Sequence, residues 1–431
     1  MVNVVAFSQS GSLKGKIVDQ ATGEPIPFAN VILENGGTIE GGATSDFDGN
    51  YVIKPVAPGT YDLKASFIGY KSILVRGMII NADQIRFYDI KMEATAAQLE
   101  EIVVTEYAIP LISKDNTVSG GHVTAEEIAK MPNRSANAIA TSVGGVFSAD
   151  GERGEVRGAR SDQTIMYIDG IRVLGSSSLP QSAIEQVSVF LGGLPAQYGD
   201  ARGGIINVTT KGPSRTFGAG IELETSKFLD AYGHSRLGFN LQGPLIKGKK
   251  DEGTSLLGYF ISGDLTYRED SRPLANGVYV ANDNYLNSLQ DSPLRQTGLS
   301  SGGTYLNGEF ARTSDLSLQK ANPNATRYGI NLSGKIDVRT SKNTNLSFGG
   351  QYVRDDGRNM SRFNSMFNSD RNALAMNTSW RVFGRFTQRF PSSGDNKSLV
   401  KNVYYTIQAD YSELHTSRMD PYHKEDLLKY G

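Results

Sequence analysis

The fold is decided by two neighbouring runs, Gly151-Glu-Arg-Gly-Glu-Val-Arg-Gly-Ala-Arg-Ser161 and Gln163-Thr-Ile-Met-Tyr-Ile-Asp-Gly-Ile-Arg-Val173. In the second run, the side chains from Ile165 to Ile168 have the pattern of a short strand. The strand ends at Asp169-Gly170, a pair that suits the positive φ angles of a tight hairpin turn. We therefore predict a pair of strands joined at this turn.

A third run lies further along, Gly192-Gly-Leu-Pro-Ala-Gln-Tyr-Gly-Asp-Ala-Arg-Gly-Gly-Ile-Ile-Asn-Val-Thr-Thr-Lys211, after the apolar segment from Ala183 to Phe190. The three runs, in this order, resemble the plug domain of TonB-dependent outer-membrane receptors. The resemblance covers residues 107–212 and implies a small mixed α/β domain. The plug-motif positions are Arg157, Gly158, Arg160, Asp169, Gly170, Tyr198, Gly199, Gly203, Gly204 and Asn207.

Two short helices are predicted inside this domain. Thr124 and Glu127 have the spacing of a capping box, so one helix should begin there and stop before Pro132. Ser135 should cap the next helix, which Gly144-Gly145 would end. The domain is also dense in charge, which indicates either a solvated surface or, inside a polar barrel, contacts with the wall that pulling can release. These charges are Glu152, Arg153, Glu155, Arg157, Arg160, Asp162, Asp169 and Arg172.

The composition limits the possible classes of protein. With 431 residues, two or three structural units are expected. A net charge of -1 argues against nucleic-acid binding by bulk electrostatics, and the absence of cysteine excludes disulfides and thiol chemistry. No apolar run reaches the roughly 18 residues of a transmembrane helix, which leaves a β-barrel possible. The many Gly, Tyr and Phe residues favour a mainly β protein.

Residues 1–10 are interpreted as the remainder of a signal peptide or a disordered start, and residues 11–93 as a small β-sandwich. Segments such as Thr22-Gly-Glu-Pro-Ile-Pro-Phe-Ala-Asn-Val31 and Thr44-Ser-Asp-Phe-Asp-Gly-Asn-Tyr51 resemble the carboxypeptidase regulatory-like domain, which is not itself a peptidase. The acidic cluster beginning at Asp46 lacks the glycine and glutamate positions of an EF-hand, so a hairpin turn is the better interpretation.

Enzyme and metal chemistry have little support in this sequence. The four histidines are His122, His234, His415 and His423, and none lies in a His-Glu-x-x-His arrangement. We therefore expect no catalytic residue, no cofactor and no metal site.

The linker at residues 94–106 carries a short β-prone segment of Glu101, Ile102, Val103, Val104 and Thr105. It has no evident partner strand in the adjacent sequence, and an unpaired strand can add to the sheet edge of another protein. It resembles the TonB box, by which such receptors engage the TonB–ExbB–ExbD complex. An inert linker is the alternative.

Residues 213–431 contain seven candidate strands with one apolar and one polar face, which indicates the first part of an antiparallel outer-membrane barrel. From Tyr328 to Val338, for example, every second residue is apolar or small. Links after the second, fourth and sixth strands are predicted to be short, and those after the third and fifth long, as in barrels with short periplasmic turns. Aromatic residues near strand ends fit interfacial girdles. The predicted strands are residues 217–225, 236–245, 256–267, 328–338, 345–352, 380–390 and 402–412.

A barrel wide enough to hold a plug has about 22 strands, so this sequence is expected to be the amino-terminal part of one. The resemblance implies energised import across the bacterial outer membrane, with the first domain and the plug on the periplasmic side. The imported ligand would be a glycan, a peptide or a metal chelate, and a surface lipoprotein is a possible partner. Ile139-Ala-Thr-Ser-Val-Gly144 stands where SusC-like glycan importers have Leu-Gln-Gly-Lys, which weakens the glycan assignment.

Two other classes of function remain at this point. A β-sandwich adhesion or structural protein would explain the first domain but leaves the plug-like runs unexplained. An enzyme with a regulatory domain would require a catalytic cluster, and the sequence offers none. The segment from Arg268 to Arg327 is either a ligand-contacting loop or a flexible one.

Overall fold

The computed structural model describes most of the chain. The described residues are 10–35, 38–81, 84–94, 101–105, 119–131, 135–148, 154–173, 179–194, 198, 202–213, 217–247, 255–298, 300, 302–341, 344–390, 403–426 and 428.

The first domain is a sandwich of two β-sheets, as predicted. One sheet has the order β4-β1-β7, with β8 also paired to β1, and the other has the order β3-β2-β5-β6-β9. Side chains such as Leu13, Ile17 and Leu63 are fully buried between the sheets and form the core. The strands are β1 (Gly11–Asp19), β2 (Asn30–Asn35), β3 (Thr38–Thr44), β4 (Asn50–Val56), β5 (Gly59–Ser66), β6 (Ser72–Ile80), β7 (Ile85–Phe87), β8 (Ile90–Met92) and β9 (Glu101–Thr105).

The acidic cluster before β4 forms a turn, as predicted. The Asp46 Oδ1 atom accepts hydrogen bonds from the backbone N–H groups of Asp48, at 3.0 Å, and Asn50, at 2.8 Å. An aspartate that accepts from the backbone a few residues further on stabilises a turn in this way. Asp46 therefore has a structural role at the entrance to β4.

The expectation that Glu101–Thr105 lacks a partner strand is wrong. This segment is β9, and it pairs in parallel with β6, from Ser72 opposite Glu101 to Arg76 opposite Thr105. The antiparallel partner β5 occupies only one edge of β6. The other edge binds the β-prone segment that follows the sandwich, a contact between segments too distant in sequence for local pattern to indicate.

The second domain is a small mixed α/β fold. Its main sheet has the order β10-β15-β16-β13-β14, in which β13 and β16 are parallel and the other pairs are antiparallel. Ile139, Val187 and Val208 are among the side chains buried between the helices and this sheet. The elements are β10 (Ser119–Thr124), α1 (Ala125–Lys130), α2 (Ala136–Ala140), β11 (Val146–Phe147), β12 (Glu155–Val156), β13 (Thr164–Ile168), β14 (Ile171–Arg172), β15 (Ile184–Gly192) and β16 (Gly204–Thr210).

The two predicted helices are present, but the second is shorter than expected. Glu127 accepts the backbone N–H of Thr124 at 2.9 Å, and Ser135 accepts that of Ala138 at 3.1 Å, so both predicted caps are confirmed. Helix α2 ends at Ala140, well before the predicted stop at Gly144. The hydroxyl groups of two residues after the helix, Thr141 and Ser142, donate to carbonyl groups inside it. Such side-chain bonds compete with continued helix.

A seven-stranded antiparallel sheet, here called the wall sheet, follows the second domain. Its order is β17-β18-β19-β24-β25-β26-β27, so all seven predicted strands are present. The link between β19 and β24 contains further short elements of its own. The elements from here on are β17 (Gly218–Thr225), β18 (Ser235–Lys247), β19 (Ser255–Arg268), β20 (Val278–Ala281), α3 (Asp283–Asp291), β21 (Leu294–Gln296), β22 (Thr304–Leu306), β23 (Leu316–Gln319), β24 (Arg327–Ser341), β25 (Thr344–Asn359), β26 (Ala373–Phe390) and β27 (Val403–Met419).

The wall sheet has its polar face covered and its apolar face exposed. On β24, Asn331 and Ser333 are 6% and 9% exposed, whereas Leu332 and Ile336 are 37% and 42% exposed. A sheet in a water-soluble protein normally buries the apolar face. The reversed pattern is that of a barrel wall, with lipid outside and polar groups inside.

The links at the two ends of the wall sheet differ less in length than predicted. The longest, residues 269–326, lies at one end, and the shortest, residues 342–343, at the other. Half of the predicted long link from Arg354 to Ser379 is strand, because β25 continues to Asn359 and β26 begins at Ala373. Beyond Arg354 polar residues occur on both faces, so the alternation that indicates a strand is lost. In the described part of the chain, no helix has both the length and the apolar character needed to span a membrane.

The long link 269–326 is folded. Its strands β20 and β23 pair, as do β21 and β22, and the N–H of Ala281 donates to the carbonyl of Met366 in the link 360–372. The carboxylate of Asp270, which is 2% exposed, accepts the backbone N–H and the side-chain amide of Asn322, each at 2.8 Å. These contacts fasten the two ends of the link together.

Replacing Asn322 with alanine is expected to loosen this link, because Asp270 then loses a buried donor. The expected cost is about 1 to 3 kcal/mol in local stability, seen as faster proteolytic cleavage within residues 269–326. Asn287→Ala, on the exposed side of α3, is the matched control and should change cleavage little. Equal cleavage rates in the two variants would contradict this role for Asn322.

Candidate functional site

The second domain contacts the polar face of the wall sheet through its hairpin turn at Asp169. Asp169 and Gly170 have φ angles of +51° and +81°, and Ile168 pairs with Ile171 across the turn, so the predicted hairpin is confirmed. The backbone carbonyl of Asp169 accepts a 2.5 Å hydrogen bond from Arg385 Nη2 on β26. The turn is therefore bound to the wall sheet by a charged donor.

The carboxylate of Asp169 is buried, at 3% exposure, and is held by the end of β16. It accepts the backbone N–H of Thr210 at 3.0 Å and the Thr210 hydroxyl at 2.5 Å. Burial alone would raise the pKa of this carboxyl, but Lys335, Arg385 and the Thr210 hydrogen bonds outweigh it and hold the pKa below its usual value. The turn thus places an ionised carboxylate against two cations of the wall sheet.

A second group of polar contacts lies beside this turn. The hydroxyl groups of Ser182 and Ser262, on β19, are 2.8 Å apart. Burial raises the pKa of Glu185, while Lys211 and Lys335 act in the opposite direction. The contacts identified between the second domain and the wall sheet are therefore polar, and water can replace them when the surfaces separate.

The arginine-glycine run forms a turn within the second domain. Arg157 and Gly158 have φ angles of +52° and +78°. Arg157 Nη2 donates to Ser119 Oγ at 2.8 Å, at the first residue of β10. This contact lies where the chain enters the domain from residues 106–118. Arg160 is exposed and precedes a short 3-10 turn.

The remaining plug-motif residues pack inside the same domain. The side-chain amide of Asn207, fully buried, donates to the Tyr198 hydroxyl at 3.1 Å. A Cβ atom on Gly204 would lie 2.6 Å from Val156, so only glycine allows this close approach. The Gly203 N–H donates to the Gln163 carbonyl at 3.2 Å. Gly199 lies outside the described residues.

A cavity of about 690 Å³ lies between the second domain and the end of the wall sheet that carries the long link. Ser135 and Leu179 line it from the second domain. Charged groups of both signs line it from the inner face of the wall sheet: Arg236, Arg268, Glu224, Asp264 and Asp355. Arg236 also bridges Asp264, at 2.5 Å, and Glu222, at 3.0 Å. Within the described residues, no group of three or more His, Asp or Glu side chains is arranged to hold a metal ion.

The wall-sheet residues that hold the plug motif are not identified by sequence analysis. Lys335 falls on the predicted polar face of its strand, so the alternation already places it on the inner side. Its proximity to Asp169, and the bond from Arg385, depend on tertiary packing. Thr210 carries no sequence signal of its own.

A mixed α/β domain bound by polar contacts to the inner face of an antiparallel sheet, whose other face is apolar, defines an outer-membrane protein of the plugged-barrel class. Family comparison agrees. Residues 13–104 match the CarboxypepD_reg-like domain, and residues 113–205 match the TonB-dependent Receptor Plug Domain. The chain thus carries the plug domain of the TonB-dependent receptors, preceded by a CarboxypepD_reg-like domain.

Two curated relatives are similar to part of the chain. The TonB-dependent transporter Oar of Myxococcus xanthus is 24% identical over 49% of this chain and 21% of its own length. A probable TonB-dependent siderophore receptor, PirA of Acinetobacter baumannii, is 28% identical over 37% of this chain and 24% of its own length. The matched region thus spans less than a quarter of either relative.

Solved structures are also similar to the chain. The siderophore receptor PirA from Pseudomonas aeruginosa has a TM-score of 0.41 at 18% identity, covering 69% of this chain and 41% of that one. The ferric enterobactin receptor PfeA from the same organism, as the Q482A mutant in complex with enterobactin, has a TM-score of 0.38 at 16% identity, covering 70% of this chain and 47% of that one.

Proposed function

We propose that this protein takes part in TonB-dependent uptake of a ligand across the outer membrane. The plug would close the path, and a pull from TonB, energised by ExbB and ExbD, would move it. The observation that carries this proposal is the polar attachment of the Asp169 turn to Arg385. A contact of this kind holds the plug at rest and can exchange for water when the plug moves.

The proposed orientation places the long link 269–326 outside the cell. The first domain and the plug would lie on the periplasmic side, as outer-membrane barrels have longer loops outside and shorter turns inside. The cavity between the plug and the wall sheet then opens toward the external ligand. This orientation also places Glu101–Thr105 within reach of a periplasmic partner.

The ligand is proposed to be a glycan, a peptide or a metal chelate. The charges of both signs around the cavity are compatible with a polar ligand. The probable siderophore receptor among the two curated relatives adds weight to the metal chelate. A surface lipoprotein that assists capture remains part of the proposal.

The TonB box is proposed to be Glu101–Thr105, and Val103→Pro tests it. Proline removes a backbone donor and disrupts the pairing of a strand, so binding of a purified TonB C-terminal domain to the full chain should weaken by about tenfold or more. Calorimetric titration in detergent measures the change in Kd.

Ala97→Pro is the control for this experiment. It places the same residue in the preceding linker, outside the proposed box, and binding should be unchanged. If Val103→Pro binds TonB as tightly as the unaltered chain does, the box lies elsewhere and this part of the proposal fails.

A further inference from the structure

The strand β9 lies at the end of its sheet. It pairs with β6 on one side, and among the described strands it pairs with no other. A strand directs its backbone N–H and C=O groups to both sides, so a strand at the end of a sheet retains one side for another partner. The proposed TonB box is thus already extended, with one edge bound to β6 and the other edge unpaired among the strands that the structure describes.

A bulge in β6 lies beside the described part of the β6–β9 ladder. Two residues, Arg76 and Gly77, lie opposite the single residue Asp62 of β5. The N–H of Gly77 donates to Asp62 Oδ1 at 3.2 Å. The bulge lies next to Arg76, which is opposite Thr105 in the last described pair of the ladder, and a bulge bends and twists its strand.

A separate observation also assigns β9 to the first domain. The match to the CarboxypepD_reg-like domain runs through residue 104 and so includes nearly all of β9. The pairing with β6 and the extent of the match agree that this strand is part of the sandwich. The box is therefore a structural strand of the first domain as well as the proposed binding segment.

We propose that the first domain presents the box as a preformed edge strand, and that a strand of TonB adds to the open side of β9 while β6 stays paired. This inference rests on the proposed function. Fixing the backbone of one residue costs roughly 1 to 2 kcal/mol, so a segment that is already extended loses less entropy on binding. The partner is a protein with an exposed strand edge of its own.

The order of the chain makes this arrangement compatible with pulling. Residues 106–118 connect β9 directly to β10, where Arg157 contacts Ser119. The sandwich is joined to the other end of β9. A force applied to β9 therefore reaches the plug along the chain without first breaking the pairing with β6.

A disulfide between β6 and β9 tests the proposal. Leu74→Cys and Val103→Cys are opposite each other in the ladder, and neighbouring strands about 4.8 Å apart suit a disulfide. The unaltered chain has no cysteine, so this bond is the only disulfide that can form within one chain. The full chain in detergent is titrated with a purified TonB C-terminal domain, oxidised and then reduced.

The expected result is the same Kd, within about twofold, in the oxidised and reduced forms. A loss of binding greater than about tenfold on oxidation, recovered on reduction, would overturn the proposal, because it would mean that β9 must leave β6. A second pair, Arg76→Cys with Thr105→Cys, joins the strands at the last described pair of the ladder, and it decides the result if the first pair weakens binding even when reduced. An error in the box assignment itself is recognised separately, by tight binding of Val103→Pro.

Discussion

Replacing Asp169 with alanine should lower the stability of the plug domain by about 3 to 5 kcal/mol, since one partner of a buried charged group is removed. The carboxylate accepts two hydrogen bonds from Thr210 and faces Lys335 and Arg385. Without it, the N–H and hydroxyl of Thr210 lose their acceptor, and the two cations lose a counter-charge. Alanine is also less tolerant than aspartate of the positive φ angle at this position. Chemical unfolding of the full chain in detergent, followed by tyrosine fluorescence, measures the change.

Asp162→Ala is the matched control. Asp162 is an exposed acidic residue of the same domain, and its removal should change stability by no more than about 0.5 kcal/mol. Asp169→Asn removes the charge but preserves the shape and the tolerance of positive φ. The stability lost in the asparagine variant therefore measures the charge, and the further loss in the alanine variant measures the shape and the backbone. If Asp169→Ala and Asp162→Ala unfold alike, the turn does not hold the plug.

The pH dependence of stability follows from the lowered pKa of Asp169. The carboxyl is harder to protonate in the folded state than in the unfolded state, so its contribution is fully present above the unfolded pKa of about 4. The contribution is lost as the pH falls through the lower, folded pKa. Asp169→Asn should abolish this part of the acid dependence while Asp162→Ala retains it.

Local signals in the sequence are sufficient for much of this fold. The Asp169-Gly170 hairpin is predictable because few residue pairs accept two successive positive φ angles. The helix caps at Thr124 and Ser135 are predictable because their partners lie three residues away. The wall strands are predictable where one face meets lipid, because the alternation there is strict.

The contacts that matter most for function are not local. Arg385 reaches a carbonyl group 216 residues away in sequence, and many arginines in the chain have a similar local pattern. The β-propensity of residues 101–105 predicts a strand, but it does not determine which sheet edge that strand pairs with. The pairing of β9 with β6 is therefore not predictable from local sequence. The end of β25 beyond Arg354 is also not predictable, because polar residues on both faces remove the alternation of apolar and polar residues that indicates a strand.

The outer face of the wall sheet should tolerate charge only near its ends. The ring centroids of Trp380, on β26, and Tyr411 are 5.1 Å apart, and those of Phe390, also on β26, and Tyr405 are 5.9 Å apart. These aromatic pairs mark the two limits of an apolar band. The ten-residue step from Trp380 to Phe390 is about 33 Å of strand, or about 25 Å at a tilt of about 40°, which matches the apolar band of outer-membrane barrels. Above it, Arg354 and Asp356 form a 2.7 Å ion pair.

Ile336→Arg places a charge inside this band, on a row with Tyr259 and Phe348 in the strand registers. The expected cost is about 2 to 4 kcal/mol in lipid, because an arginine near the bilayer midplane must be removed from water. Tyr328→Arg is the control on the same strand and the same face, level with Asp356, and should cost no more than about 1 kcal/mol. Folding into lipid vesicles across a urea series measures both. Equal costs would mean that the face carrying Ile336 does not meet the hydrocarbon of a membrane, and the reversed burial of the sheet would then require a protein partner on that face.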